Sequence, residues 1–546
     1  MTVQLQVETL DHLGLVAGVI DELGLVELTN EILPPHQQNC VSSGQVVKAM
    51  LLNCFGFLSA PLYLFSEFFD SKPVEHLLGP GIQAAYLNDD RLGRVLDGLS
   101  QCGTTMFFLK AAMQAVERFG VTTEQVHLDS SSFSVDGDYP TSDKIDTPAH
   151  PIAICRGYSR DQRPDLKQFM VNLICAKEGG VPLWFKVADG NQSDAQAFSA
   201  IMGEFACQWH LESLFVIDAA FYSEPNLQSV CSLQWLSRVP QTLKQAKALI
   251  DTPTEALKAA PCDLNDYKLW EVPQVYGGVK QRWMLIESQS RKADVALWTK
   301  ELQTLERQLN RQLKQLSKTV FACRPDACEA LLAFEDQLEK HQIVDATIAT
   351  VRTKRVPGEP PIKGCKGDIE GYQIRATLKV KPETTAMFTR QRSRFILATN
   401  QLNATQWPAQ RLLEEYKQQQ KVERGFRFLK DPLFFTSSVF VKSPQRIEAL
   451  ALIMALTLLV YTLAERKLRQ ALEQQHKTVL DQRKRPTATP TFRWIMQKFH
   501  GIHLAVIDGV AQITNLSKER QLIIRLLGPP TCQYYLITEP SPTCGM

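Results

Sequence analysis

The chain has 546 residues, 44% of them hydrophobic and 22% charged, which excludes a disordered polyelectrolyte and leaves room for several globular domains. Its formal net charge is +2, but residues 1–118 carry 6 Lys/Arg against 13 Asp/Glu, so the later part carries +9 and is the part a polyanion would favour. Thirteen cysteines without a C-x-x-C pair, and an N-terminus (MTVQLQVETLDHLGLV) without a basic start or cleavage site, predict reduced thiols in a cytoplasmic protein and exclude a disulfide scaffold.

Residues 1–118 read as helices broken by turn signals at Leu33–Pro35, Ser59–Pro61 and Gly79–Gly81, with Asn88 as an N-cap before DDRLGRVLDGL. This predicts an acidic, all-helical N-terminal domain. From Val121 the pattern changes to short β-rich runs: QVHLDSSSFSV, then KQFMVNLICAKEGGVPLWFKVADG, then SLFVIDAAF and LQWLSRV. The second holds two apolar runs around Lys177-Glu178-Gly179-Gly180, a hairpin signal, and a helix starting near Ser193 separates it from the third. Strand, hairpin, helix, strand, helix, strand is the order of a mixed sheet with helices on its faces, an α/β domain. Trp184 and Trp235, inside strand runs, are predicted core residues.

Residues 241–394 interrupt that rhythm with the strand pieces KLWEVPQV and QRWMLIES. An amphipathic helix follows from Ala293 to about Lys318, then a loop marked by Pro357, Pro360 and Pro361. RFILATN brings the chain back at Arg394–Asn400. A single helix is expected from about Ala404 to Lys430, stopped at Asp431-Pro432. The longest apolar run, Ala449–Ala464, is 16 residues. That is short of the ~20 needed to span a bilayer, so it reads as a buried core helix and no membrane partner is expected. Basic segments, ERKLRQ and DQRKRP, lead to a small C-terminal unit. The predicted boundaries are therefore 1–118, 119–240, 241–394, 395–470 and 471–546.

Three carboxylates stand out. Asp129 lies in the first strand, Asp218 ends the strand LFVID, and Glu423 sits in a basic helix. At 100° per residue Tyr416, Gln419, Glu423, Arg427 and Lys430 fall within about 80° of one another on one helix face. The plain alternative for Glu423 is a pair with Arg427, worth a few tenths of a kcal/mol. If Asp129, Asp218 and Glu423 converge, they resist ionising together unless a cation compensates them. An all-oxygen site favours Mg²⁺, or Mn²⁺, over zinc, and two such ions about 4 Å apart suit phosphodiester chemistry. The basic loop with Arg156, Arg160 and Arg163 reads equally as a DNA track or a solvated turn. His500 and His503 lack a third ligand and read as ordinary histidines.

The spacing Y-x-x-Q-x-x-x-E-x-x-x-x-x-x-K from Tyr416 to Lys430 resembles the Tyr-Arg-Glu-Lys signature of DDE transposases of the insertion-sequence-four type. The blocks VHLDSSSFSVDG, GYSRDQRPDLKQFMVNLICAKEGGVPLWFKVADGNQSD, LFVIDAAFYSEPNL and FRFLKDP agree in order. The resemblance covers about residues 120–240 and 395–465. It implies a ribonuclease-H-like catalytic domain carrying a large insertion, with Asp129, Asp218 and Glu423 as catalytic and metal-binding triad. Two Mg²⁺ ions would serve nicking at the element's terminal inverted repeats and attack of the freed 3′-hydroxyl on target DNA. The implied partners are double-stranded DNA and a second copy, as a homodimer acting at the nucleoid. Tyr416, Gln419, Arg427 and Lys430 would contact the DNA, with Gln419 standing where the family has arginine. Glutamine hydrogen-bonds a phosphate but lacks arginine's charge and bidentate fork. The competing readings are a ribonuclease-H-like nuclease without strand transfer and a catalytically impaired, DNA-binding transposase derivative.

Overall fold

In a computed structural model the β-rich runs from Gln125 onward join one nine-stranded sheet. The structure describes residues 5–36, 39–56, 65–135, 139, 152–158, 163–210, 212–254, 257, 259–260, 262–293, 295–352, 369–430 and 443–538. Arg160, the turns expected at Ser59–Pro61 and Pro357–Pro361, and the helix stop at Asp431-Pro432 lie outside them.

Across the sheet the strands run Pro182–Ala188, Lys167–Ala176, Gln125–Val135, Leu214–Ile217, Gln234–Arg238, Arg394–Thr399, Val279–Ser288, Tyr267–Tyr276 and Ala259–Ala260. Among the first three each strand is antiparallel to its neighbour, as the expected hairpin requires. Gln125–Val135, Leu214–Ile217 and Gln234–Arg238 are parallel neighbours, and every later pairing is antiparallel. The strand pieces of the interval 241–394 thus extend this sheet. Their tight turn is Gly277-Gly278, at φ 57° and 75°, the left-handed pair that a two-residue hairpin loop demands. Residues 295–380 build a smaller unit in which helices Val295–Leu316 and Arg324–Glu335 pack on a two-stranded ribbon, His341–Arg352 with Ile369–Val380. Leu313, Phe334, Leu338 and Leu378 are its core.

Alternation sorts the sheet's side chains by face. Phe215, Ile217, Val126 and Leu128 join the main core, together with Phe198, Met202 and Phe205 of helix Asp194–Trp209. On the other face Leu214, Val216, Leu236, Met284, Ile286 and Leu397 pack under Trp407, Leu412 and Leu413. Trp184 and Trp235 are fully buried, as predicted.

The apolar run of Ala449–Ala464 belongs to a helix of 31 residues, Pro444–Gln474, longer than its apolar stretch announces. It is long and apolar enough to cross a membrane, but 83% of its most apolar window is buried here. Helices Ser43–Cys54, Asp89–Gln101, Thr104–Phe119 and Lys518–Leu527 all pack against it, so one continuous core runs from the N-terminal helices through the sheet to the C-terminal residues.

Two expectations need correcting. The N-terminal region is not all-helical: Leu5–Thr9 is a strand, paired antiparallel with His503–Ile507 from the other end of the chain. Its alternation is too short to announce a strand without that partner. The single helix expected over about 404–430 is two helices, Ala409–Lys417 and Gln420–Leu429. At the junction the amides of Gln418 and Gln419 bond three residues back, to Glu415 and Tyr416. The first helix is anchored to the sheet by Leu412 and Leu413, the second to the main core by Phe426 and Leu429, and the break lets each reach its own surface.

Candidate active site

The parallel register pairs Leu128 with Ile217, the last position of the shorter strand. Asp129 and Asp218 each follow by one residue. They therefore emerge side by side from strands about 4.8 Å apart. They share the parity of Leu214 and Val216, and so the face that carries helix Ala409–Lys417. Both are half-buried. Asp129 accepts from the Ser130 amide at 2.8 Å and Asp218 from the Ala220 amide at 2.8 Å, which fixes how each carboxylate is turned. Beside them burial pushes the Cys175 thiol up, with the Asp129 charge adding to the effect.

Helix Gln420–Leu429 packs against the Asp129 strand and against helix Pro444–Gln474. Gly425 makes the second contact: a Cβ there would sit 3.3 Å from Leu458 Cδ2. Glu423 is on this helix, and its side chain lies outside the described residues. No group of three metal-ligating side chains is found among the described residues, which hold two of the three predicted acids.

Tyr416 lies at the end of the preceding helix, its ring 6.3 Å from that of Phe395. Burial holds its phenol above the usual range; Arg238 and Arg291 pull it down and Asp218 pushes it up, so all three charges are its neighbours. The guanidinium carbons of Arg238 and Arg291 stand 5.7 and 5.3 Å from the centre of the Phe395 ring. Sequence reading missed both arginines. Arg238 carried a signal, since it ends the strand beside that of Asp218. Arg291 had none, because it lies in the short helix Gln289–Ala293 and only the sheet order brings the strand before it near.

The other predicted contacts divide. Lys430 lies over Phe133, Nζ 5.4 Å from the ring centre, on the Asp129 strand. Arg427 is exposed. Gln419 is 8% exposed, at the helix junction, and does not share a continuous helix face with Tyr416. Arg156 is exposed, whereas Arg163 is held by Asp165 at 2.8 and 2.9 Å. His500 and His503 belong to no metal-ligating group among the described residues. Every described cysteine is a free thiol.

The stretch that carries both acids, Arg238, Tyr416 and the Glu423 helix falls inside residues 123–460, which match the family model described as "Transposase DDE domain". The chain belongs to this family. The transposase also matches a domain of unknown function, DUF4277, over residues 5–113. No curated protein matches it. Among solved structures it is similar to the piggyBac transposase in a synaptic complex with hairpin DNA, at 9% identity and a TM-score of 0.37, over 88% of this chain and 77% of that one.

DDE transposases generally use divalent metal ions. The donor set fits such an ion: two half-buried carboxylates on adjacent strands supply hard oxygen ligands, whose mutual repulsion a cation would offset.

Proposed function

We propose that this transposase binds the ends of its insertion sequence, nicks them hydrolytically and joins the 3′-hydroxyl ends to target DNA. The observation that carries the reading is the placement of Asp129, within its strand, beside Asp218, which directly follows the neighbouring strand, by the Leu128–Ile217 register. A ribonuclease-H-like core is supported by the order of the five strands between Gln125 and Arg238: third, second, first, fourth, fifth, with the last three mutually parallel. Membership of the Tyr-Arg-Glu-Lys branch rests on the residues from Tyr416 to Lys430.

Asp129 and Asp218, with Glu423 delivered by its helix, would hold Mg²⁺ or Mn²⁺, two ions in this proposal. Bound there, the metal would activate a water or a 3′-hydroxyl and stabilise the leaving oxygen. The protein's own part is to hold the scissile strand. Tyr416, Arg238 and Arg291 border Asp218 on one side and Lys430 borders the Asp129 strand on the other. A phosphodiester laid across the two acids would therefore have cations at both flanks, where charge-assisted hydrogen bonds fix its position. A homodimer bridging two element ends, in the cytoplasm at the nucleoid, completes the proposal.

The test is purified protein with Mg²⁺ and a DNA fragment carrying the inverted repeats that flank its gene. Nicks at the repeat ends, followed by joined products, are expected. Asp129→Asn should remove both and spare end binding; full cleavage by that variant would sink the site assignment.

A further inference from the structure

Far from the acids, Val479–Leu480 and Pro486–Thr487 form a short hairpin closed by Asp481-Gln482-Arg483-Lys484-Arg485. Asp481 organises this turn. Its carboxylate accepts from the amides of Arg483 and Arg485, both at 2.8 Å, and from the Arg485 guanidinium. The carboxylate thus spends itself on the turn and on Arg485. Arg483 and Lys484 are exposed, and among the described residues neither has a carboxylate partner. Lys484 sits at φ 58°, where glycine is unstrained and a side chain is not, so the fold bears strain to keep a cation at the tip.

Behind the turn lies a cleft of about 260 Å³, whose lining includes Asp481, Arg483, Arg485, Thr487, Thr489, Thr491 and Trp494. Between residues 477 and 494 the chain has five Lys/Arg and one acid. Guanidinium groups and hydroxyls around an aromatic ring are the donors that grip a sugar-phosphate backbone without reading bases. Thr489 and Thr491 also border a larger cavity of about 400 Å³, whose lining includes Gly425 and Phe428 of the Glu423 helix. The Phe428 ring packs tilted against Tyr461 at 4.3 Å, and Tyr461 meets Phe492 edge-on at 5.7 Å. These rings join the helix that carries the proposed third acid to helix Phe492–Lys498, whose Trp494 donates to the Leu480 carbonyl of the hairpin at 2.8 Å.

We infer that the turn Asp481–Arg485 and its cleft are a second DNA-contacting surface, which holds the backbone of double-stranded DNA outside the active site independently of sequence. This rests on the DNA-acting reading of the catalytic face and adds a binding surface to it. The test compares wild type with the double variant Arg483→Ala/Lys484→Gly. Glycine relieves the left-handed position, so the variant should melt no lower than wild type. Affinity for a duplex of arbitrary sequence is measured across a salt series. Two lost phosphate contacts should lower the slope of log K against log salt by about 1.8, with Mg²⁺-dependent nicking retained at saturating DNA. Unchanged slope and affinity would overturn this inference and leave the active-site reading standing. A wild-type protein that neither binds nor cleaves its element ends would overturn both.

Discussion

Asp129 and Asp218 lie one residue beyond a paired Leu128 and Ile217, on two parallel strands that the chain connects through a hairpin and a helix. Two carboxylates so placed repel unless a cation lies between them. Asp129→Asn and Asp218→Asn should each lower metal-dependent nicking by about a thousandfold or more, the scale of losing a group that acts as part of a unit. Removing one of the repelling charges should leave the melting temperature the same or higher without metal. A chelator should abolish nicking by wild type while leaving gel-shift binding intact.

Arg238 and Arg291 flank the Phe395 ring next to Tyr416. A charge-assisted hydrogen bond is worth about 1.5–3 kcal/mol. Arg238→Gln and Arg291→Gln should therefore each weaken binding of a cleavable end by about 10- to 100-fold, read by fluorescence anisotropy. Equal affinity in both variants would remove them from the DNA path.

Gln419 stands where the resemblance expects arginine, yet it is interior. A guanidinium there must leave water or push the helix junction apart. Gln419→Arg should lower stability by about 1–3 kcal/mol and bring no gain in nicking, measured by denaturant unfolding and a cleavage assay. A more active variant would show instead that the family's arginine has a route to the DNA.

Arg394 opens the strand on which the chain re-enters the sheet. It is fully buried, and donates to Glu287 at 2.9 Å, to the carbonyls of Ile250 and Thr252, and to the Thr254 hydroxyl. Glu287→Ala would strand that charge, at a cost of about 3–5 kcal/mol. The chemical-denaturation midpoint should fall accordingly. A small effect would mean that the three neutral oxygens suffice.

His12 is buried with its Nε2 2.7 Å from the Phe55 carbonyl oxygen, and burial lowers its pKa from the ordinary 6.5 to about 4. Between those values the unfolded chain binds a proton that the folded chain refuses, so stability falls as pH drops from about 6.5 towards 4. At 1.36 kcal/mol per unit the loss is of the order of 3 kcal/mol. Urea unfolding at pH 7 and pH 4.5 should show it in wild type and not in His12→Gln.

Alternation and turn chemistry are local properties, so the strands from Gln125 to Arg238, the Gly179-Gly180 hairpin, the buried Trp184 and Trp235 and the core helix were all legible from neighbouring residues alone. So was the position of Asp129 within the first of these strands and of Asp218 at the end of LFVI. Their adjacency was not, because it depends on the register of two strands nearly ninety residues apart. The same limit hid the strand shared by the two ends of the chain, the joining of Tyr267–Ser288 to the sheet and the meeting of Arg238 with Arg291 at Phe395. The basic stretch Tyr416–Lys430 has a helical pattern throughout, and pattern alone predicts one straight helix. Two docking surfaces that are not in line broke it at Gln418-Gln419. The sequence by itself determined which residues have the chemistry; long-range pairing and packing decided which of them stand together.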